Sequence, residues 1–276
     1  MTEESVTVTQ FTDPLCAWSW DAEPTIRALS EHYRGQLTVE FVMTELTSGH
    51  SEPAQSVDVT SHWRDAARYH SMPINADKWC EIPSPSSRPS SLAYKAAELQ
   101  DGALARRYLR RLRAAAATER VDLEHQPTLC ELATAVGLDG DRLSSDLGGN
   151  AAHTALQADL DRARSHAVTA LPTYSLTGPS GTTWLYGNTS LESFEAAIAD
   201  VSPPLDPVAP RPLGEFVDAY GSVTAQEVAT VYDVSVSKAG QALKAMADDF
   251  RIRPVERGNG TFWYSPVDPL LLECRQ

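Results

Sequence analysis

Strand-forming sequence comes in two blocks, and a long helical stretch separates them. "VTVTQFTD" (6–13) alternates and is rich in β-branched residues, which reads as a strand ending at Asp13-Pro14. Trp20, Ile26, Leu29 and Tyr33 then recur at helical spacing, Gly35 stops the helix, and Pro24 kinks or breaks it. "LTVEFVMTEL" (37–46) is a second strand. The chain therefore opens as β-α-β, with Cys16 at the C-terminal end of the first strand, where open α/β sheets carry their reactive groups. Residues 47 to 90 are rich in Ser, Pro and His, so loops are expected there, with one short helix around Trp63 to His70. From Ser91 to about Ala167 the pattern is helical throughout, punctuated by Gly, Asp and Pro.

Strand sequence returns in "TALPTYSLTGPSGTTWLYGN", two β runs around a Gly-Pro-Ser-Gly turn. "TSLESFEAAIADV" follows as a helix, with Thr189 and Glu192 at capping-box spacing. "SPPLDPVAPRP" (202–212) carries five prolines and reads as a linker. Beyond it, "LGEFVDAY", "TAQEVATVYD" and "SVSKAGQALKAMADDF" are helical, and a hairpin with Gly258-Asn259-Gly260 at its turn closes the pattern. Three helices and a hairpin are a winged-helix order.

At 276 residues the chain has ample material for a core, and no apolar run approaches the roughly 18 residues of a spanning helix. "MTEESVTVTQ" is acidic and lacks a basic start and an apolar core, so a cytoplasmic protein with no membrane partner is expected. The net charge of −14 argues against broad attraction to nucleic acid. The same holds locally: from Asp206 onward there are ten acids against seven basic residues. A protein partner for this C-terminal part is therefore expected before a nucleic acid.

Four cysteines, Cys16, Cys80, Cys130 and Cys274, lie far apart and form no CxxC pair. That spacing fits neither a clustered zinc site nor a disulfide-dense scaffold, and the scattered histidines suggest no metal. Cys16 stands at a helix start, where positive backbone potential should depress its pKa, although a buried inert cysteine is the plainer alternative. Ser19 occupies the fourth position, where a second thiol would serve in a dithiol site. Trp20 reads as core and Trp18 as a candidate lining for a substrate surface. Cys80, Cys130 and Cys274 read as packed or incidental, and His166 as a solvated or packed histidine.

The combination of "DPLCAWSW", "SSLAYKAAELQ", "ARSHAVTALPTYSL" and "YGNTSLESF", over roughly residues 5 to 201, resembles the DsbA-like branch of the thioredoxin superfamily. Within it, the chain is similar to the FrnE-type disulfide oxidoreductases and to the YjbH/SpxH protease adaptors. The resemblance implies an α/β thioredoxin fold over 1–56 and 166–201, an inserted all-α domain over 57–165, and a linker at 202–212. The winged-helix-like module would then span 213–276. By position, it implies that Cys16 is the nucleophile, that Ser19 stands at the resolving position, and that Pro172 is a cis-proline facing the cysteine. Leu171, Thr173 and Trp18 would flank the substrate.

A hydroxyl cannot resolve a mixed disulfide, so a Cys16–Ser19 pair excludes net two-electron oxidation on its own. Three single-thiol activities remain: disulfide isomerisation, removal of a small thiol from proteins, or capture of a thiol partner. The expected partners are protein thiols or disulfides. No bound cofactor is expected, and a low-molecular-weight thiol would act as co-substrate. The alternatives are a non-redox adaptor and a thiol-dependent isomerase of small molecules.

Overall fold

The computed structural model describes residues 6–46, 59–69, 71–75, 77 and 86–266. The calls on Cys80, Cys274 and the loops at 47–58 and 78–85 fall outside them.

Strand β1 (Val6–Thr12) runs parallel to β2 (Leu37–Met43), and the connecting segment forms α1 (Ala17–Asp21) and α2 (Glu23–His32). The helix breaks at Ala22, just before Pro24, because proline fits the first turn of a helix and not its interior. Helix α3 (Val59–Tyr69) precedes a helical block of α4 (Arg88–Glu98), α5 (Gly102–Thr118), α6 (Gln126–Thr134), α7 (Gly140–Leu147) and α8 (Asn150–Ser165). Strands β3 (Thr173–Gly178) and β4 (Gly181–Tyr186) complete a four-stranded sheet of order β2-β1-β3-β4, both added antiparallel. Helix α9 (Leu191–Val201) closes the first half of the fold.

The alternation of β1 divides the core. Val6 and Val8 face α2 and α9, where Ile26, Leu29, Tyr174, Phe194 and Ile198 pack. Phe11 faces the other side with Val42 and Ala163 of α8, and half-buried Trp184 stacks on it. This two-faced burial explains why β1 is buried along nearly its whole length while edge strand β4 is not. Among the described residues, no helix is long and apolar enough to cross a membrane.

The capping box expected at Thr189 is not the one formed. Ser190 is the N-cap of α9 and accepts from the Ser193 N–H, whereas the Thr189 hydroxyl turns back to the Gly187 carbonyl. The proline-rich stretch 202–212 is not a free linker either. Val208 N–H donates to His32 O at 2.7 Å, Gln36 binds Asp206 through both its amide atoms, and Arg34 donates to Ala209 O. Proline supplies few donors of its own, but its extended backbone leaves carbonyls that neighbouring side chains bind.

The remainder is α10 (Leu213–Tyr220), β5 (Ser222–Thr224), α11 (Ala225–Tyr232), α12 (Val236–Asp248), β6 (Arg253–Arg257) and β7 (Gly260–Tyr264), with sheet order β5-β7-β6. The three-residue β5 is too short to show alternation in sequence. This part has its own core of Phe216, Val217, Val223, Val228, Leu243 and Ile252, into which Ala28 of α2 also inserts. Its attachment to the rest is extensive: Phe262 stacks on Trp20 at 6.1 Å, and the Asn259 amide group and N–H bind the backbone of Ile74 at 2.8 and 3.1 Å. Gly258 at that turn has φ +61 and sits so close to Ile74 that a Cβ would lie 2.8 Å from its carbonyl carbon.

Candidate functional site

Cys16 is the N-cap of α1, in extended conformation, and its side chain makes no capping hydrogen bond. It is only 3% exposed. Burial pushes the thiol pKa up, and the nearby Asp13 carboxylate pushes the same way, while the Ser19 hydroxyl and N–H and Arg113 pull it down. The net direction is upward, so the depressed pKa expected from a helix start is corrected. The five-residue α1 carries little macrodipole, and desolvation of the sulfur outweighs it.

Ser19 is fully buried and sits in a directed chain of hydrogen bonds. Arg113 of α5, which can only donate, donates to the Thr12 hydroxyl. That oxygen having accepted, Thr12 donates to Ser19 Oγ at 2.9 Å. The Ser19 proton is thereby left free toward Cys16. The same terminal nitrogen of Arg113 also donates to Gln10 at 3.1 Å and the other donates to Glu23 at 2.6 Å, and Gln10 in turn donates to the Tyr174 hydroxyl at 3.2 Å. An arginine from the helical block thus organises polar side chains beneath the cysteine. Nothing in the sequence around Arg113 singles it out from the other arginines of "ARRYLRRLR", so this residue escaped the sequence reading.

Asp13 is fully buried, accepts from the N–H groups of Leu15 at 2.8 Å and Leu46 at 2.9 Å, and has its pKa pushed up to about 6 by burial. Asp21, bonded to Asn188, is also raised to about 6 by burial.

The Leu171–Pro172 peptide bond is cis. Register brings it to the site: Thr173 pairs with Phe11, so Pro172, just before β3, lies beside the end of β1. The Pro172 carbonyl accepts from Gly187 N–H at 2.8 Å. Thr173 is 1% exposed with its hydroxyl on Ala170 O, so its side chain offers nothing to a substrate. Trp18 and Leu171 are half-buried, and Leu171 lines a cavity of about 320 Å³ with Thr44, Leu46, Leu160, Ala163 and Val168. Trp20 is wholly buried, with its indole N–H on Pro73 O. His166 lies 5.1 Å from the Trp184 ring rather than in the polar chain under Cys16. Cys130, on α6, is half-buried with its pKa raised, first by burial and then by Asp141 and Glu131. Among the described residues no cluster suited to a metal ion occurs.

Comparison with known proteins places this geometry. The thioredoxin family profile matches residues 10–181. The ClpXP adapter protein SpxH of Halalkalibacterium halodurans is 29% identical over 92% of this chain and 86% of its own length, and that of Bacillus subtilis is 26% identical over 92% and 87%. Among solved structures, a Nitrosomonas europaea protein described as a disulfide isomerase superposes with a TM-score of 0.62 at 16% identity, covering 71% of this chain and 97% of its own. The cytosolic disulfide reductase DsbM of Pseudomonas aeruginosa superposes at 0.53 with 21% identity, over 70% and 93%. The structures share the fold. The adapters match a larger share of the chain than its first 205 residues contain, so their similarity runs into the C-terminal part. The chain belongs to the thioredoxin family.

Proposed function

We propose that this chain is a cytoplasmic protein-binding adapter that delivers a client protein to a ClpXP-type protease, with its thioredoxin fold serving recognition. One observation carries this reading. The adapters resemble the chain through its C-terminal part as well as its thioredoxin part, and here the two are held together by a buried ion pair and a stacked aromatic pair. The state of Cys16 agrees: a buried thiol of raised pKa with a serine at the resolving position is poorly suited to turnover. The winged-helix-like order of the C-terminal elements then serves protein docking. The test is pulse-chase proteomics in the source cell. Clients should be stabilised alike by loss of this chain and by loss of ClpX, and Cys16→Ala should restore their turnover. Separate client sets, or failure of Cys16→Ala to complement, would reject the adapter reading.

A second reading rests on the Arg113–Thr12–Ser19 chain, which leaves a hydroxyl proton for a Cys16 thiolate. In that reading Cys16 attacks a mixed disulfide of a protein with a small thiol. A disulfide between Cys16 and the small thiol forms, the protein thiolate leaves, and a second molecule of the low-molecular-weight thiol attacks that disulfide, freeing Cys16 and leaving as the symmetrical small-thiol disulfide. Deglutathionylation of a labelled protein substrate that vanishes in Cys16→Ala would establish it.

A further inference from the structure

A second cavity, of about 490 Å³, opens where three parts of the chain meet. Ile26, Arg27 and Ser30 of α2 form one wall, Val39 and Phe41 of β2 the floor, and Ala103, Leu104, Arg106, Arg107 and Arg110 of α5 the facing wall. Arg211 and the end of α10, Ala219 and Tyr220, close it from the C-terminal part. Its lining holds five arginines and a single carboxylate, Glu23.

Pairing does not cancel this charge. Arg27 and Arg110 share one partner, Glu227, at 3.2 and 2.9 Å. Glu23 is held by Arg113, and Glu31 is shared between Arg34 at 2.5 Å and Arg211 at 3.6 Å. With those carboxylates and the two further arginines they bind, cations outnumber anions seven to three. Arg107 uses one terminal nitrogen, on the carbonyls of Asp218 and Ala219 at 2.9 and 2.8 Å, and its other donors remain. Neither Arg106 nor Arg107 pairs with a carboxylate among the described residues. The Tyr220 hydroxyl donates to Glu31 at 3.2 Å, and its ring lies under Arg27 at 4.4 Å. Burial, and then the neighbouring Arg110, lower the Arg27 pKa against the pull of Glu227, whereas Glu227 raises that of Arg110 despite burial.

Such an excess in a half-enclosed cavity is unexpected in a chain of net charge −14. Guanidinium groups bind carboxylate and phosphate oxygens through paired N–H bonds, and the strength of those bonds grows as water is excluded. The rest of the lining is apolar: Ile26, Val39, Phe41 and Leu104 offer surface for a hydrocarbon or ring. We infer that this cavity is a binding site for a small organic anion, a carboxylate or phosphate ester with an apolar body, seated with its anionic head on Arg106, Arg107 and Arg211. Cys16 does not line the site, and its occupant would bridge α2, α5 and the C-terminal part.

The test is isothermal titration of the full chain with decanoate, decyl phosphate, decanol and inorganic phosphate. Saturable binding of decanoate or decyl phosphate with unit stoichiometry is expected, and the tighter of the two assigns the head group. Arg106→Gln, at an exposed residue with no hydrogen bond or ion pair among the described residues, should weaken binding at least tenfold while melting normally, and Arg211→Gln should weaken it as much. Ala103→Trp, also at an exposed helical position, should fill the cavity and block binding. Absence of binding by both anions would overturn the inference, as would equal binding of decanol, equal binding of inorganic phosphate, or binding unchanged in all three variants. None of these readouts involves protease delivery, so the two proposals can fail separately.

Discussion

Arg110 of α5 meets Glu227 of α11 through two N–H···O bonds of 2.9 Å each, with the carboxylate wholly out of solvent. Arg27 of α2 approaches the same carboxylate at 3.2 Å, so one side chain ties three parts of the chain together. Glu227 also accepts from the Thr224 N–H at 2.7 Å and completes the capping box of α11. Arg110 lies over the rings of Trp20 and Phe262, which links this junction to the helix carrying Cys16.

Glu227→Gln should therefore destabilise the full chain by about 3–5 kcal/mol, because it strands two buried guanidinium groups. Urea denaturation measures it, and a loss below 1 kcal/mol would show that the pair contributes little. The pH dependence has a definite sign. The two arginines hold the Glu227 pKa below its ordinary 4.5 despite burial, so its contribution is complete at neutral pH and is lost as pH falls through the lower folded value.

Asp13 behaves oppositely. Its folded pKa of about 6 exceeds the ordinary 3.8, so the folded state binds the proton more tightly. Between those values stability rises as pH falls. The melting temperature at pH 5.5 should exceed that at pH 7.5 by a few degrees, and the difference should shrink in Asp13→Asn. A flat profile in both proteins would contradict this, and Asp21, raised likewise to about 6, adds in the same direction.

Cys16 should alkylate slowly at pH 7, with a titration midpoint above the free-thiol value of about 8.5. Ser19→Ala should move the midpoint further up, because the hydroxyl that favours the thiolate is gone. Thr12→Val should act in the same direction by releasing the Ser19 hydroxyl from its directed chain. A midpoint below 8 in the wild-type protein would restore the reactive-thiol reading.

How much of this was visible in the sequence depends on the range of the interaction involved. Apart from β5, the strands, the break before Pro24 and the successive helices rest on local periodicity and punctuation, and the structure has them close to where the pattern placed them. Cys16 and Ser19 stand out by their place after the first strand, Pro172 by the resemblance, and register sets Pro172 beside the end of β1. The properties of Cys16 were not legible, because its burial depends on chain that packs from elsewhere. Arg113 and the arginine cavity were invisible for the same reason. "ARRYLRRLR" reads as a charged helix face, yet Arg110, Arg111 and Arg113 are each at most 7% exposed. Their burial depends on partners that lie far away in the chain: Glu227 for Arg110 and Glu23 for Arg113.

The final expectation is that the full chain does not bind DNA, although three helices and a hairpin invite that reading. Helix α12 does present Ser235, Ser237, Lys238, Gln241 and Lys244 to solvent. The hairpin is otherwise engaged. Arg257 pairs with Glu119, and the Gly258–Asn259 turn is bonded to Ile74. Only Arg253 of the hairpin's arginines is left exposed, so with Arg251 before it four cations, Lys238, Lys244, Arg251 and Arg253, could reach phosphates. Asp248, Asp249 and Glu256 are exposed on or beside the same elements and would repel them. A protein that neutralises so few phosphates binds weakly even in low salt, and a net charge of −14 adds repulsion that low salt strengthens. Titration of the full chain with a random-sequence duplex at low salt should show no saturable binding. Micromolar affinity that falls steeply with added salt would reverse the assignment and make the C-terminal part a nucleic-acid reader.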